Sequence, residues 1–355
     1  MFWTYYCFIG MATTEFDYLI IGQGLAGSIL AHQLITQGQR VMVLDNDHQG
    51  SSSTVAAGII NPVTGPRLNC PSSFSSYFDI AKSYYAKLEY HIKANVFNEV
   101  KQLRQIQSDS EQAFLAKRLN EPRYQCVLNK STLLTSMFKA SDLPTVEING
   151  TAIIDTKSLL SASKVWLKSL YSYQNTKVNY DNFSFSKEFV SYQNIRANTV
   201  IFCEGYQAIH NPWLKHLPFK LAKGEILTLE NLSGLNTMHS WGKWLTPNDA
   251  SMKLGSNFDW SGLELTPNTN IKNALLTDLN EHTNFIGDVL SHEAGIRPST
   301  QAREPFIGAI PALDNAYCFN GFGSKGCLLI PFYSSLLTEH FLNQTELPKK
   351  VTRCL

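Results

Sequence analysis

Apolar and polar positions along the chain follow two rhythms. Residues 16–21 (Phe-Asp-Tyr-Leu-Ile-Ile) and 40–45 (Arg-Val-Met-Val-Leu-Asp) are short, nearly continuous apolar runs, as is Val200 to Cys203 within residues 198–205. Strands buried on both faces of a parallel sheet read this way. Residues 150–155 and 316–320 add two more strand candidates, and the first runs into Asp155, a cap for an amphipathic helix over 156–171. Between 77 and 119, Phe78, Ile80, Ala81, Tyr84, Tyr85 and Leu88 recur at helical spacing, which predicts two or more helices. Residues 126–138 either continue them or pair as a strand and a short helix. Residues 178–189 predict a hairpin, and 219–255 an antiparallel sheet broken by turn signals such as Ser233-Gly234 and Pro247-Asn248-Asp249. Helical spacing returns over 271–289. No repeat, low-complexity tract or linker divides the chain, so an α/β protein with interwoven domains is expected.

The first two strands enclose the most informative stretch. Residues 16–21 end at Gly22-Gln23-Gly24-Leu25-Ala26-Gly27, helix formers follow from Ser28 to Thr36, and the next strand closes on Asp45. A dinucleotide-binding βαβ unit requires this order. Gly22 makes the tight turn, Gly24 lets the backbone approach a pyrophosphate, and Gly27 lets helix and strand pack closely. The helix start offers N–H groups and partial positive charge to the pyrophosphate, and Asp45 can accept from a ribose hydroxyl. The rival reading is a glycine-rich turn that binds nothing. A small-residue loop follows, Gly50-Ser51-Ser52-Ser53-Thr54-Val55-Ala56-Ala57-Gly58, whose backbone can lie close to a flat or charged ligand.

The far end repeats the theme. Strand candidate 316–320 leads into Gly321-Phe322-Gly323-Ser324-Lys325-Gly326 and an apolar segment over 327–342. Too little chain remains for a second nucleotide-binding half. This helix start therefore points to the other end of the first ligand, where its N–H groups and Lys325 can stabilise developing negative charge. The alternative is a packing turn with Lys325 in solvent.

Composition narrows the partners. The 355 residues carry 30 Lys and Arg against 29 Asp and Glu, a formal charge of +1, which leaves no electrostatic footprint for nucleic acid. Seven scattered cysteines without a C-x-x-C argue against a disulfide framework or zinc site and for a reducing compartment. No apolar run is long enough to span a bilayer, so a cytoplasmic location is expected. Residues 1–10 are aromatic and uncharged and read as a disordered extension ahead of Met11.

Taken in order, the opening fingerprint, the Ser-Ser-Ser-Thr-Val-Ala-Ala-Gly loop, residues 200–205, Lys223-Gly224-Glu225, Glu293-Ala294-Gly295-Ile296-Arg297-Pro298, Pro305-Phe306-Ile307-Gly308 and residues 321–331 resemble FAD-dependent oxidoreductases of the D-amino-acid oxidase family, in particular its glycine oxidase branch. The resemblance implies a Rossmann-like FAD-binding domain of the glutathione reductase type over 11–70, 150–220 and 300–346. It implies an interwoven α+β substrate domain with an antiparallel sheet over 71–149 and 221–299. Gly22, Gly24, Leu25, Ala26 and Gly27 would hold the pyrophosphate, and Asp45 the ribose. Ser52, Ser53, Thr54, Ala56, Ala57 and Gly58 would lie along phosphates and ring. Cys203, Glu204 and Gly205 would line the adenosine side, and a residue near Phe183, with Phe183 the named candidate, would touch the adenine. Gly323, Ser324, Lys325, Gly326 and Cys327 would meet the pyrimidine edge of the flavin.

Arg297 matches the family's carboxylate-binding arginine, a role suited to a guanidinium that donates two parallel hydrogen bonds. A structural ion pair is the competing role. Trp244 stands where glycine oxidase-like members have a substrate-binding tyrosine, and its indole donates but cannot accept. The cysteine that holds flavin covalently in the sarcosine oxidase branch has no convincing match, since Cys327 reads as a small buried thiol, so non-covalent FAD is implied.

The implied reaction is oxidation of the C–N bond of a small amine or amino acid, with hydride passing to flavin N5 and the imine hydrolysing. No Ser-His-Asp or paired-carboxylate constellation is needed, and His239 reads as a packing residue. Electrons would go to dioxygen or, in a dehydrogenase, to a quinone or carrier. Action on a modified tRNA base and a non-enzymatic flavin-binding protein are the other readings. The sequence leaves oligomeric state open, a homo-oligomer included.

Overall fold

The computed structural model describes residues 14–48, 51–130 and 137–355. Expectations for residues 1–10, for Gly50 and for the middle of 126–138 fall outside them. At the centre lie five parallel strands in the spatial order Tyr173–Asn175, Val41–Asp45, Thr14–Ile21, Ile195–Phe202 and Ala316–Asn320. Their side chains alternate between two apolar layers. Ile20, Val43, Ile201 and Phe319 face one layer, while Leu19, Ile21, Leu44, Val200 and Phe202 face the other. The pleat makes that division, and burial on both faces explains the continuous apolar runs.

Helices Leu25–Thr36, Phe74–Ile92, Thr156–Ser169 and Gly326–Asn343 cover the first layer. Leu25–Thr36 approaches the first strand so closely that a Cβ on Gly27 would overlap the Gly22 carbonyl. Gly22 itself turns with φ +99°, a conformation that side chains with a Cβ rarely adopt. Asp155 caps Thr156–Ser169 by accepting from the Ser158 N–H at 3.0 Å. In Gly326–Asn343, Pro331 lacks the N–H that would serve the Cys327 carbonyl one turn back. The Tyr85 hydroxyl donates to that carbonyl instead at 2.8 Å, while Gln33 Nε2 donates to the Pro331 carbonyl at 3.1 Å. One neighbouring helix thus closes the gap the proline opens, and a second braces the same stretch.

A second sheet of eight strands lies beside the first. It runs Val289–Arg297, Ala222–Glu230, Ser251–Gly255, Trp244–Asn248, Met238–Ser240, Gln102–Gln105, Thr145–Ile148 and Leu128–Lys130, antiparallel except where Met238–Ser240 meets Gln102–Gln105. Residues 77–119 hold two helices, Phe74–Ile92 and Asp109–Leu119, but strands Phe97–Glu99 and Gln102–Gln105 stand between them. The second strand escapes a hydropathy reading because fully buried Gln102 is satisfied by polar partners, donating to Ser240 Oγ at 3.0 Å and accepting from Thr151 Oγ1 at 2.8 Å. The helix expected to reach residue 289 ends at His282. There the Thr283 hydroxyl donates to the Leu279 carbonyl and accepts from the Phe285 N–H, and the chain then enters Val289–Arg297. Among the described residues no helix is long and apolar enough to cross a membrane.

Candidate active site

A single cleft of about 880 Å³ runs from the carboxyl ends of the parallel strands to the face of the second sheet. Both glycine-bounded helix starts open into it, one through Gly22, Gly24, Leu25 and Ala26, the other through Gly323, Ser324, Lys325, Gly326 and Cys327. Ligands of open α/β sheets bind in this same crevice beyond the carboxyl ends of the strands.

The first end is built from backbone and short side chains. The Leu25 N–H donates to Ser53 Oγ at 3.2 Å, joining the small-residue loop to the helix start. Asp45 accepts from the Gln23 N–H at 2.9 Å and from the His48 N–H at 2.8 Å. The His48 ring lines the cleft with Nδ1 3.3 Å from Asp45 Oδ1, and burial lowers its pKa, which favours the neutral imidazole. Cys203, Glu204 and Gly205 line the same end. The Glu204 carboxylate accepts from Tyr180 Oη at 2.7 Å and Asn211 Nδ2 at 2.8 Å, and burial raises its pKa to about 7.

Three expected residues stand back from the cleft. Gly27 packs behind the turn, and Thr54 turns its hydroxyl to the Ser51 carbonyl. Phe183 is half-buried in an aromatic cluster with Phe185, Tyr192, Phe202 and Trp213. It does not line the cleft; Thr176, Lys177, Val178 and Tyr180 take that place. The hairpin begins with Phe183 itself, and pairing with Tyr192 turns the ring into the core.

Ser52, Ser53, Ala56, Ala57 and Gly58 form the middle of the wall. Residues Ser52–Val55 make one helical turn, and the Ala56 carbonyl after it accepts from Lys253 Nζ at 3.1 Å and Thr156 Oγ1 at 3.2 Å. Gly58 has φ +72°, and a Cβ there would overlap the Ile154 carbonyl. Lys325 is exposed at the rim. Cys327 is buried, and its thiol is pushed up to about 12 by desolvation, so it is no ready nucleophile. His239 is buried against Phe138 with Nδ1 3.1 Å from the Thr237 carbonyl, a packing residue outside the cleft.

Arg297 and Trp244 define the other end. Arg297 ends its strand opposite Ala222, and its guanidinium crosses Gly224, where a Cβ would overlap it. Beyond that strand Nη2 donates to Ser256 Oγ at 2.7 Å and Nη1 to the Asn257 carbonyl at 3.4 Å, and Cζ stands 4.4 Å over the Phe258 ring. Among the described residues it has no Asp or Glu partner, although burial has brought its pKa down to about 10. The sequence reading did not include Ser256, Asn257 and Phe258. Trp244 lies flat against Gly255, whose Cβ would come 2.7 Å from the indole ring. Its Nε1–H has no partner among the described residues.

The residues present fit an extended flavin nucleotide. The cleft is within the range of ligand sites, roughly 300–1,000 Å³. Glycines that no Cβ could replace bring backbone to its wall, a helix start meets it at each glycine motif, and Asp45 stands at the first strand's end.

Comparison with known proteins agrees. The family model described as FAD dependent oxidoreductase (DAO) matches residues 17–340. The uncharacterized oxidoreductase YurR of Bacillus subtilis is 25% identical, over 93% of this chain and 96% of its own. Glycine oxidase of Pseudomonas aeruginosa is 21% identical, over 90% of this chain and 93% of its own. Among solved structures, iminodiacetate oxidase from Chelativorans sp. BNC1 superposes with a TM-score of 0.77 at 18% identity, covering 95% of this chain and 98% of that one.

Proposed function

The chain belongs to the family of FAD-dependent oxidoreductases, and from that premise we propose that it oxidises the C–N bond of a small amine bearing a carboxylate, an amino acid in the first instance. Its similarity to glycine oxidase supports the substrate class. The observation that carries the reading is Arg297, a largely buried cation that reaches the cleft with no acidic partner. A buried guanidinium left unpaired is costly, and a carboxylate that accepts two parallel hydrogen bonds removes that cost.

Gly22, Gly24, Leu25 and Ala26 would hold the pyrophosphate, Asp45 and Glu204 the adenosine side, and Gly323 to Cys327 the far edge of the ring, without a covalent bond. Bound FAD supplies the hydride acceptor. The protein's part is placement. Arg297 fixes the carboxylate, Trp244 closes the side of the site and offers one N–H, and buried Ile226 and Met238 exclude water. Among the described residues the acids on the cleft wall are Asp45, Glu204 and Glu304.

Anaerobic mixing with a panel of amino acids and matched neutral amines tests the proposal. Carboxylate-bearing amines should bleach the flavin, and Arg297→Met should abolish their advantage while FAD stays bound. Bleaching by neutral amines alone, or an Arg297→Met protein that keeps the carboxylate preference, would overturn it. Repeating the reaction in air with peroxide detection identifies dioxygen or another acceptor.

A further inference from the structure

Lys223-Gly224-Glu225 has no part in the chemistry above, yet it lies directly under Arg297. We infer that Lys223 and Glu225 are positioning residues that hold the segment 256–268 against Arg297 and so set the affinity for carboxylates. The inference rests on the reading of Arg297 as the carboxylate grip.

Alternation along strand Ala222–Glu230 sends Gly224 to the cleft face and Lys223 and Glu225 to the reverse face. On the cleft face the missing Cβ opens a passage for the guanidinium. On the reverse face two buried charges seize the returning segment. Lys223 Nζ donates to the Thr266 carbonyl at 2.7 Å and stands 3.0 Å from Glu225 Oε1. Glu225 Oε2 accepts from the Asn268 N–H at 2.8 Å and lies 2.8 Å from His292 Nε2.

The backbone adds further ties. Lys223 and Asp259 exchange both N–H···O bonds, at 2.8 and 3.0 Å, and the Glu225 N–H donates to Asn257 Oδ1 at 2.7 Å. Ser256, Asn257 and Phe258, the three residues that touch Arg297, form the start of this segment, and the Thr266 and Asn268 anchors hold its far end. Farther out, Trp260 and Leu263 are exposed, so little apolar burial fixes the segment's middle. Its position depends on the polar anchors. A buried pair that loses one member leaves the other uncompensated, which makes such anchors sensitive to single substitutions.

The test uses the FAD-loaded protein with glycolate and its neutral amide, glycolamide, as probes, each titrated by its perturbation of the visible flavin spectrum. Glu225→Gln and Lys223→Met should each weaken glycolate about tenfold, a change of about 1.4 kcal/mol, while glycolamide affinity and FAD content hold. Backbone hydrogen exchange over 256–268 should quicken in both variants. Where one variant expresses poorly, the other tests the same tether from its opposite charge. An unchanged glycolate-to-glycolamide ratio in these variants, with a collapsed ratio in Arg297→Met, overturns the inference and leaves the Arg297 reading intact. Equal weakening of both probes, or loss of FAD, also overturns it, because the pair would then serve general folding. A wild-type protein that does not prefer glycolate sinks both readings together.

Discussion

The two ends of the cleft are built by opposite methods. The nucleotide end comes from residues that are neighbours in the chain, Ile21 to Gly27 with Asp45, and its working surface is mostly backbone. The substrate end comes from residues far apart in the chain, with Arg297 lying across Gly224 to Ser256 and Asn257 and over Phe258. Glycine shows the difference in one residue type. At Gly27 it lets backbone meet backbone, whereas at Gly224 it lets one side chain cross a neighbouring strand. On the proposed reading, local chain geometry specifies cofactor binding, and strand register specifies substrate binding.

The largest expected effect falls on the first method. Gly27→Ala drives a Cβ into the Gly22 carbonyl, so the helix must lift from a strand whose Ile20 is fully buried against Ile29 and Leu30. Overpacking of such a contact costs roughly 1–3 kcal/mol and can cost more where backbone must move. The protein should emerge with little or no flavin, measured as FAD per chain after gel filtration. Full FAD content at wild-type stability would show that the close approach is dispensable.

Gly224→Ala should affect the second method and spare the first. The new methyl occupies the guanidinium's path, so Arg297 loses its contacts with Ser256 and Asn257. Glycolate affinity should fall about thirtyfold or more, corresponding to about 2 kcal/mol, with FAD per chain unchanged. Loss of FAD in this variant would mean the two ends are not independent.

The same contrast decides what the sequence discloses. The first strand, the glycine turn, the helix start and Asp45 are legible because each follows from its immediate neighbours. Asp155 is legible as a cap for the same reason. Arg297 stands out by its motif, but its supports do not, since Ser256 to Phe258 become its neighbours only through the pairing of Ile226 with Gly255 and of Ala222 with Arg297. Phe183 fails on a local detail of another kind, a hairpin that starts one turn after Tyr180 and faces its first ring inward. The strand Gln102–Gln105 stays hidden because hydropathy does not register a glutamine buried by its hydrogen bonds.

Each end also encloses an ionisable group with a shifted pKa, Glu204 at one and Arg297 at the other, and pH should separate them. Glu204 has its pKa raised to about 7 by burial, from an ordinary value of 4.5. At Glu204 the folded state therefore holds a proton that the unfolded state has released between pH 4.5 and 7, and this group's contribution to stability falls as pH rises through that window. The residue is partly open to the cleft, so the full cost above pH 7 is about 1–3 kcal/mol. Its Tyr180 partner can accommodate either form, because a hydroxyl accepts as readily as it donates. Burial lowers the pKa values of His32, His48 and His239, which gives stability the opposite slope below pH 6.5, so the readout is a difference: the melting temperature of FAD-free Glu204→Gln minus that of wild type should rise from pH 5.5 to 8. Arg297 has no such escape. With its pKa brought down only to about 10, it remains cationic through this range, and glycolate affinity should stay level from pH 6 to 8. A difference that stays constant across this window would remove the buried proton from Glu204. Glycolate affinity that falls with the same midpoint would tie the two ends together through one titration, and the separation argued from their construction would fail.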